Sequence, residues 1–394
     1  MNHAVILDEQ RSGNVQPLAL YVHWPFCVSK CPYCDFNSHV RDAVDIDAWR
    51  DAIVADLVHE AALTPRRALS SIFFGGGTPS LMPPALVADI LAAADSHWGF
   101  ADDIEITLEA NPSSVEAARF VDLAAAGINR VSLGLQALDN DALAFLGRAH
   151  DVDEGLAALD VAQNAFDRVS FDLIYARPEQ KLVDWEAELA RALAFGTDHL
   201  SLYQLTIEPG TRFATLAAKG ELTIPEGDDA ADLFETTRAM TAAAGLPAYE
   251  ISNHARIGEE SRHNLTYWRY GDYVGIGPGA HGRRGKAASE RHKKPENYLA
   301  AVARNAHGIK AEADLDPATR ATEALLMGLR LAEGVDLDRI AENSGIAADA
   351  LIDPAAADEL AGLGLLTRDG TRVTVTEAGM ILLDAILPRL VAVG

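Results

Sequence analysis

Short apolar runs of strand length alternate along the chain with longer stretches in which apolar residues recur every three or four positions. The runs are LALYVHW (18–24), SSIFFGGG (70–77), DIEITLEAN (103–111), INRVSLGLQ (128–136), RVSFDLIYA (168–176) and HLSLYQLTI (199–207). Between them lie stretches such as DAWRDAIVADLVHEAAL, PPALVADILAAADSHW and VEAARFVDLAAAG, whose periodicity is helical. The last is expected to form one helix, opened by a capping box at Ser113 and Glu116 and closed by Gly127. Strands apolar on both faces, joined by helical crossovers, predict a parallel sheet covered on both sides.

The polar residues decide between an open doubly wound sheet and a barrel. A cysteine-rich loop follows the first run and GGGTPS ends the second. Glu109 and Asn111 end the third, Gln136 the fourth, Asp172 and Tyr175 sit on the fifth, and Gln204, Thr206 and Glu208 end the sixth. Every strand delivers something polar to one rim, as in barrels whose chemistry comes from many strand ends, whereas an open sheet concentrates it at one switch point. The expected fold is α/β, an incomplete (β/α)6 barrel, with YEISNHA (249–255) as a candidate seventh strand.

The expected organisation is a short N-terminal extension over 1–17, the partial barrel over 18–255, a segment over 256–300, and a C-terminal domain over 301–394. The third segment holds HNLTYW (263–268), the glycine-rich turn GIGPGAHG with His281, and RRGKAASERHKKPEN (283–297), a basic stretch expected to be a flexible connection. LLTRDGTRVTVT predicts a hairpin with a type I′ Asp-Gly turn, so the last domain is expected to be α+β and winged-helix-like.

Composition narrows the function. The 394 residues are 49% hydrophobic and 23% charged with a net charge of -25, an ordinary globular balance that repels a phosphate backbone and argues against nucleic acid as a partner. The winged-helix-like segment is itself acidic, with 13 acidic against 6 basic residues from Asp316 to Gly394. No membrane-spanning run or signal segment is evident, so the cytoplasm is the expected location. All three cysteines, Cys27, Cys31 and Cys34, fall within FCVSKCPYCDF. An odd number in a long chain does not make a disulfide scaffold, and the cluster reads as reduced metal-binding thiolates. Three thiolates on a rim loop suit an iron-sulfur cubane with one iron left open to a small molecule. A structural zinc with His39 or His23 as fourth ligand is the alternative.

Cys27-x3-Cys31-x2-Cys34 with Tyr33, followed by GGGTPS, resembles the radical S-adenosylmethionine (SAM) superfamily. Within it, YVHWPFCVSKCPYCDF, FGGGTPSL, LEANP, GLQALDNDALAFLGR, DLIY and HNLTYW resemble the group that holds the oxygen-independent coproporphyrinogen III oxidases and the HemW-type heme chaperones. The resemblance implies a 4Fe-4S cluster on the three cysteines, whose open iron chelates the amino and carboxylate groups of SAM. An electron from the cluster then splits the sulfonium bond to give a 5′-deoxyadenosyl radical. It implies SAM contacts from Tyr21, Gly76, Gly77, Thr78 and Glu109, with Tyr33, Gln136, Arg148, Asp172 and Thr206 matching positions around a second SAM. From the residues alone, the glycines make a tight turn that lets the backbone approach closely, and Asp172 within an apolar strand needs a partner.

Two departures from the oxidases are informative. They carry another cysteine two residues after the last ligand, where this chain has Phe36, and a longer N-terminal extension. Both features match the heme chaperones, which implies heme as cargo, with His263 as an iron ligand and Tyr267 and Trp268 stacked on the porphyrin. Taken alone, the hexapeptide reads sooner as a satisfied histidine beside core aromatics, and it is the resemblance that turns it toward heme. The partners implied are heme-accepting proteins, respiratory ones among the options, and a small reductant protein; a homodimer is an open option. The oxidase itself is the alternative function, and a zinc-stabilised barrel a distant one. DLIYARPEQ also departs, having Ala176-Arg177 where related proteins usually have Gly-Leu.

Overall fold

The computed structural model describes residues 16–41 and 43–393, so the N-terminal extension lies almost wholly outside the described residues. All six expected strands form, and they run parallel in chain order: β1 Gln16–Trp24, β2 Arg67–Gly76, β3 Phe100–Ala110, β4 Arg130–Gln136, β5 Arg168–Tyr175 and β6 His199–Gln204. The seventh, β7 Asn253–Ala255, is short and antiparallel to β6. At the other edge β8 Tyr273–Ile276 pairs in parallel with β1. It leads into an antiparallel run of β9 His281–Arg284, β10 Ala287–Arg291 and β11 Ile309–Asp314. The order is β11-β10-β9-β8-β1-β2-β3-β4-β5-β6-β7, an unclosed sheet of eleven strands. Helices Ile46–Leu63, Pro84–Trp98, Val152–Ala165 and Leu182–Leu193 cover its outside and share one apolar core with it.

Three expectations need correction. The basic stretch 283–297 is no flexible connection: it completes β9, forms β10 and opens the helix Pro295–Asn305. A fully buried charge network anchors it. Arg291 Nη2 donates to Glu60 and its Nε to Asp56 (3.2 Å), while Tyr298 Oη donates to Asp56 at 3.0 Å. The expected single helix over 115–127 is two pieces, Ser114–Ala117 and Phe120–Ala125. Ser113 caps the first as expected, but the Glu116 carboxylate turns inward to the Asn111 N–H (2.9 Å) and the Ser80 hydroxyl. The first turn is thereby held to the rim, and the second packs Phe120 and Leu123 into the core.

The third correction is the C-terminal hairpin, whose strands Leu366–Asp369 and Arg372–Val375 pair with Val335–Asp336. Asp369 pairs with Arg372, so the two-residue loop is Gly370-Thr371. Only Gly370 has positive φ (+60°), which is the type II′ pattern rather than I′. Residues 321–390 build a second apolar core around this sheet, joined by Phe234 from the barrel side. No helix among the described residues is long and apolar enough to cross a membrane.

Candidate functional site at the barrel rim and interior

The cysteine loop leaves β1 and returns through a parallel pairing of Phe26–Cys27 with His39–Val40, which fixes both ends of the loop. Within it Cys34 N–H donates to the Cys31 carbonyl at 3.3 Å. All three thiols are free and half-buried. Burial pushes the Cys27 and Cys34 thiols up in pKa. Two donors reach the sulfurs from the rim: Thr78 Oγ1 to Cys27 Sγ and Arg148 Nη1 to Cys31 Sγ, both at 3.5 Å. Asn111 connects these donors, giving an N–H to Thr78 Oγ1 (3.2 Å) and accepting from Arg148 Nη2 (2.6 Å). A hydrogen-bonded arc therefore runs Cys27–Thr78–Asn111–Arg148–Cys31. Asn111 was legible only as a strand end within LEANP, and its central place in the arc was not.

Two buried atoms at this rim have no partner: Arg148 Nε on the arc and Gln136 Oε1 beside it. Gln136 holds a positive φ of 69° as β4 ends, which turns its side chain back over Gly134. Tyr33 packs on Phe213 beside Arg148 and Cys31, and burial raises its hydroxyl. Beneath the loop lies an open cavity of about 570 Å³, bounded by Lys30, Cys31, Cys34, Phe145, Arg212 and Phe213. Thr206 is exposed and donates to Glu208 at 2.8 Å, apart from this arc.

The glycine turn packs against the protein itself. A Cβ on Gly76 (φ +114°) would come within 2.6 Å of His23, and one on Gly77 within 2.7 Å of the Phe26 carbonyl. The turn carries Thr78 to Cys27, and the Gly76 N–H donates to Glu109 Oε2 at 3.2 Å. His23 and His39, the fourth-ligand candidates for zinc, are both engaged with Asn37, and His23 also contacts Tyr21 Oη at 3.0 Å. His281 is exposed. Among the described residues no three His, Cys, Asp or Glu side chains, the three thiols included, converge on one point as the ligands of a single metal ion do; a cubane instead takes each thiolate on a different iron.

Inside the barrel is a cavity of about 200 Å³ whose walls include Tyr21, Glu109, Arg130, Asp172, His263 and Tyr267. Burial pushes Glu109 up to about 8, with the nearby Asp172 carboxyl adding to the rise. Asp172 is pushed to about 6 by burial, against the stabilising donation of Ser132 Oγ at 3.1 Å. His263 enters on the short helix Arg262–Trp268, capped by Ser261 and held by Glu105, which accepts the N–H groups of Arg262 and His263 at 3.2 Å each. Both imidazole nitrogens are engaged, Nδ1 with Ser71 Oγ (3.2 Å) and Nε2 with Tyr267 Oη (2.9 Å). The ring stacks on Phe73 at 5.0 Å, and burial lowers its pKa to about 3. Trp268 points elsewhere: Arg330 of the C-terminal domain lies 5.0 Å over its ring. The helix thus divides HNLTYW between the cavity and the C-terminal domain.

The chain matches the Radical SAM superfamily model over residues 21–192 and the HemN C-terminal domain model over residues 315–382. It is 41% identical over 329 residues to Radical S-adenosyl methionine domain-containing protein 1, mitochondrial, of Bos taurus, covering 81% of this chain and 74% of that one. It is 36% identical to Heme chaperone HemW of Escherichia coli (strain K12), covering 95% and 98%. Among solved structures, coproporphyrinogen III oxidase (HemN) from Escherichia coli superimposes with a TM-score of 0.80 at 24% identity, covering 95% of this chain and 90% of that one. That likeness shows the fold. The identities spread over most of both lengths, together with the cysteine loop and the C-terminal domain, place the chain in the radical SAM superfamily, in the family of the HemW heme chaperones and Radical S-adenosyl methionine domain-containing protein 1.

Proposed function

We propose that the protein is a heme-binding chaperone of the cytoplasm that delivers heme to acceptor proteins and holds a SAM-binding 4Fe-4S cluster on Cys27, Cys31 and Cys34. The observation that carries the chaperone reading is Phe36. It lies 57% exposed at the edge of the cysteine loop, where the related oxidases place a further cysteine, in a chain aligned nearly end to end with a heme chaperone. The donor set fits a cluster: three free thiols on one loop, with Thr78 and Arg148 already donating to two of the sulfurs. A thiolate accepts such bonds more strongly than a thiol. When bound, the cluster supplies the electron for SAM chemistry. The partnerless Arg148 Nε and Gln136 Oε1 suit the polar groups of a ligand at the rim. A small reductant protein is the electron donor this reading requires.

Anaerobically reconstituted protein is expected to bind about one equivalent of heme per chain and, given SAM, reductant and coproporphyrinogen III, to release no carbon dioxide. Robust decarboxylation would transfer the assignment to the oxidase.

Glu109 is the residue through which SAM binding acquires a proton linkage. Its carboxyl stays protonated up to about pH 8 in the ligand-free cavity, and a cationic ligand favours the ionised form. SAM binding to the wild type is therefore expected to release a fraction of a proton between about pH 5 and 8 and to tighten as pH rises through that window. Glu109→Gln should weaken SAM roughly tenfold or more and abolish the proton release while iron content stays intact. Calorimetry in buffers of different ionisation enthalpy reads the linkage, and unchanged proton release in the variant would take Glu109 out of the SAM site.

A further inference from the structure

The interior cavity contains a guanidinium that neither the cluster nor SAM uses. Arg130 is 3% exposed and lines the cavity. Its one hydrogen bond runs from Nη1 to Thr107 Oγ1 at a long 3.4 Å, and no carboxylate lies within ion-pair distance of it among the described residues. The Glu105 carboxyl, whose pKa burial raises but the charges of Arg130 and Arg168 bring down, gives its hydrogen bonds to others: it accepts from Arg168 Nη1 at 2.7 Å, Ser261 Oγ at 3.4 Å and the backbone N–H groups of Arg262 and His263. The Arg130 guanidinium therefore shares a counter-charge without hydrogen-bonding to it, and its unused N–H groups form a planar fork suited to a carboxylate.

We propose that this cavity is a subsite for a single carboxylate group, clasped by Arg130. The charge count of the walls selects the class. Arg130 is the one arginine or lysine lining the cavity, and burial keeps His199 and His263 neutral. Glu109 and Asp172 share the space, so a doubly charged phosphate meets more repulsion than a singly charged carboxylate. The Tyr203 side chain, also on the wall, offers a further hydroxyl. The carboxylate of SAM is not the occupant. Arg130 opens β4 and Gln136 ends it at the rim, about 20 Å away along the strand, whereas SAM must keep its carboxylate at the cysteine loop.

With about 200 Å³ available, the cavity takes a carboxylate arm or a short acid, not a whole tetrapyrrole. Two sources share this chemistry, a free short-chain carboxylic acid and a heme propionate; the second rests on the heme reading above. Isothermal titration of the full-length protein with propionate and with its neutral isostere propionamide tests the subsite itself. Saturable propionate binding, at least tenfold weaker for propionamide, is expected in the wild type. Arg130→Gln should lose that preference, and Arg130→Lys should keep part of it. Equal binding of acid and amide, or no propionate binding, overturns the proposal, and this comparison needs only the wild-type chain. Heme against heme dimethyl ester then separates the sources. A tenfold loss on esterification, matched by Arg130→Gln with heme, assigns the cavity to a propionate arm. Equal affinity for heme and its ester beside intact propionate binding assigns it to a free acid. Failure of heme to bind at all would refute the heme reading and leave the propionate result standing.

Discussion

Replacing any one of Cys27, Cys31 or Cys34 by serine should abolish the cluster, taking the reconstituted protein from about four irons and four sulfides per chain to almost none. The loop supplies three thiols, the fewest that hold a cubane while leaving one iron open, so no spare ligand compensates for a lost one. Folding should survive each change. The thiols are half-buried on a rim loop outside the apolar core, and the loop is anchored by the Phe26–Cys27 pairing with His39–Val40. Thermal unfolding of the three variants should therefore match that of the wild-type apo-protein, while iron and sulfide analysis separates them from the holo-protein. A wild type that carries one zinc and no sulfide would remove the cluster. His23, engaged at both ring nitrogens, would have to abandon Tyr21 or Asn37 to act as the fourth ligand of a zinc, and His39 holds Asn37 Oδ1 through Nε2.

The six parallel strands were legible because each is apolar on both faces, a pattern that strands with one wet face do not give. The outer edge of the sheet was hidden for the same reason. RRGKAASERHKKPEN is charged and polar and reads as linker, and IKAEAD reads as part of the C-terminal domain, yet Arg291 in the first is fully buried against Asp56 and Glu60. A buried salt bridge has no local sequence signature, since its partners stand 231 and 235 positions apart. Arg130 escaped notice likewise: at the start of an apolar run it looks like an ordinary strand-end charge. The Ala176-Arg177 departure does have a local account. Ala176 holds φ +56°, a conformation that costs an alanine more than the glycine usual in its relatives. Arg177 turns inward to pair with Glu188.

The division of HNLTYW bears on how the C-terminal domain meets the interior. Trp268 sits under Arg330, and two residues further on Tyr270 donates to Glu323 (2.7 Å), which also pairs with Arg283 on β9. The same short helix that puts His263 in the cavity is therefore fastened at its far end to the helix Pro317–Gly328. The His263 end of the helix is held to the barrel by Glu105 and Ser71, so the helix bridges the two. This gives the motif a mechanical sense that six residues read as a heme-stacking patch do not have.

Two substitutions four residues apart, at His263 and Tyr267, test whether His263 ligates the heme iron or only supports the cavity wall. If His263 ligates the iron, its Nε2 must first leave the Tyr267 hydroxyl, a bond worth about 0.5–1.5 kcal/mol. Tyr267→Phe keeps the aromatic ring and removes that competitor, so heme affinity should rise roughly two- to tenfold. His263→Ala should shift or abolish the heme absorption band and leave iron and sulfide content unchanged, because the cysteines lie on a different loop. A histidine that only supports the cavity wall predicts the reverse for the phenylalanine variant. Ser71 would then be its one remaining partner, the wall would loosen, and affinity would fall in both variants. Heme titration of the two variants beside the wild type distinguishes the cases. His263 is buried on the wall of a cavity of about 200 Å³, too small for a whole tetrapyrrole, so weaker binding in both variants, with His263 a positioning residue and the iron ligand elsewhere, is the expected pair. Tighter binding by Tyr267→Phe together with a lost band in His263→Ala would make His263 the ligand.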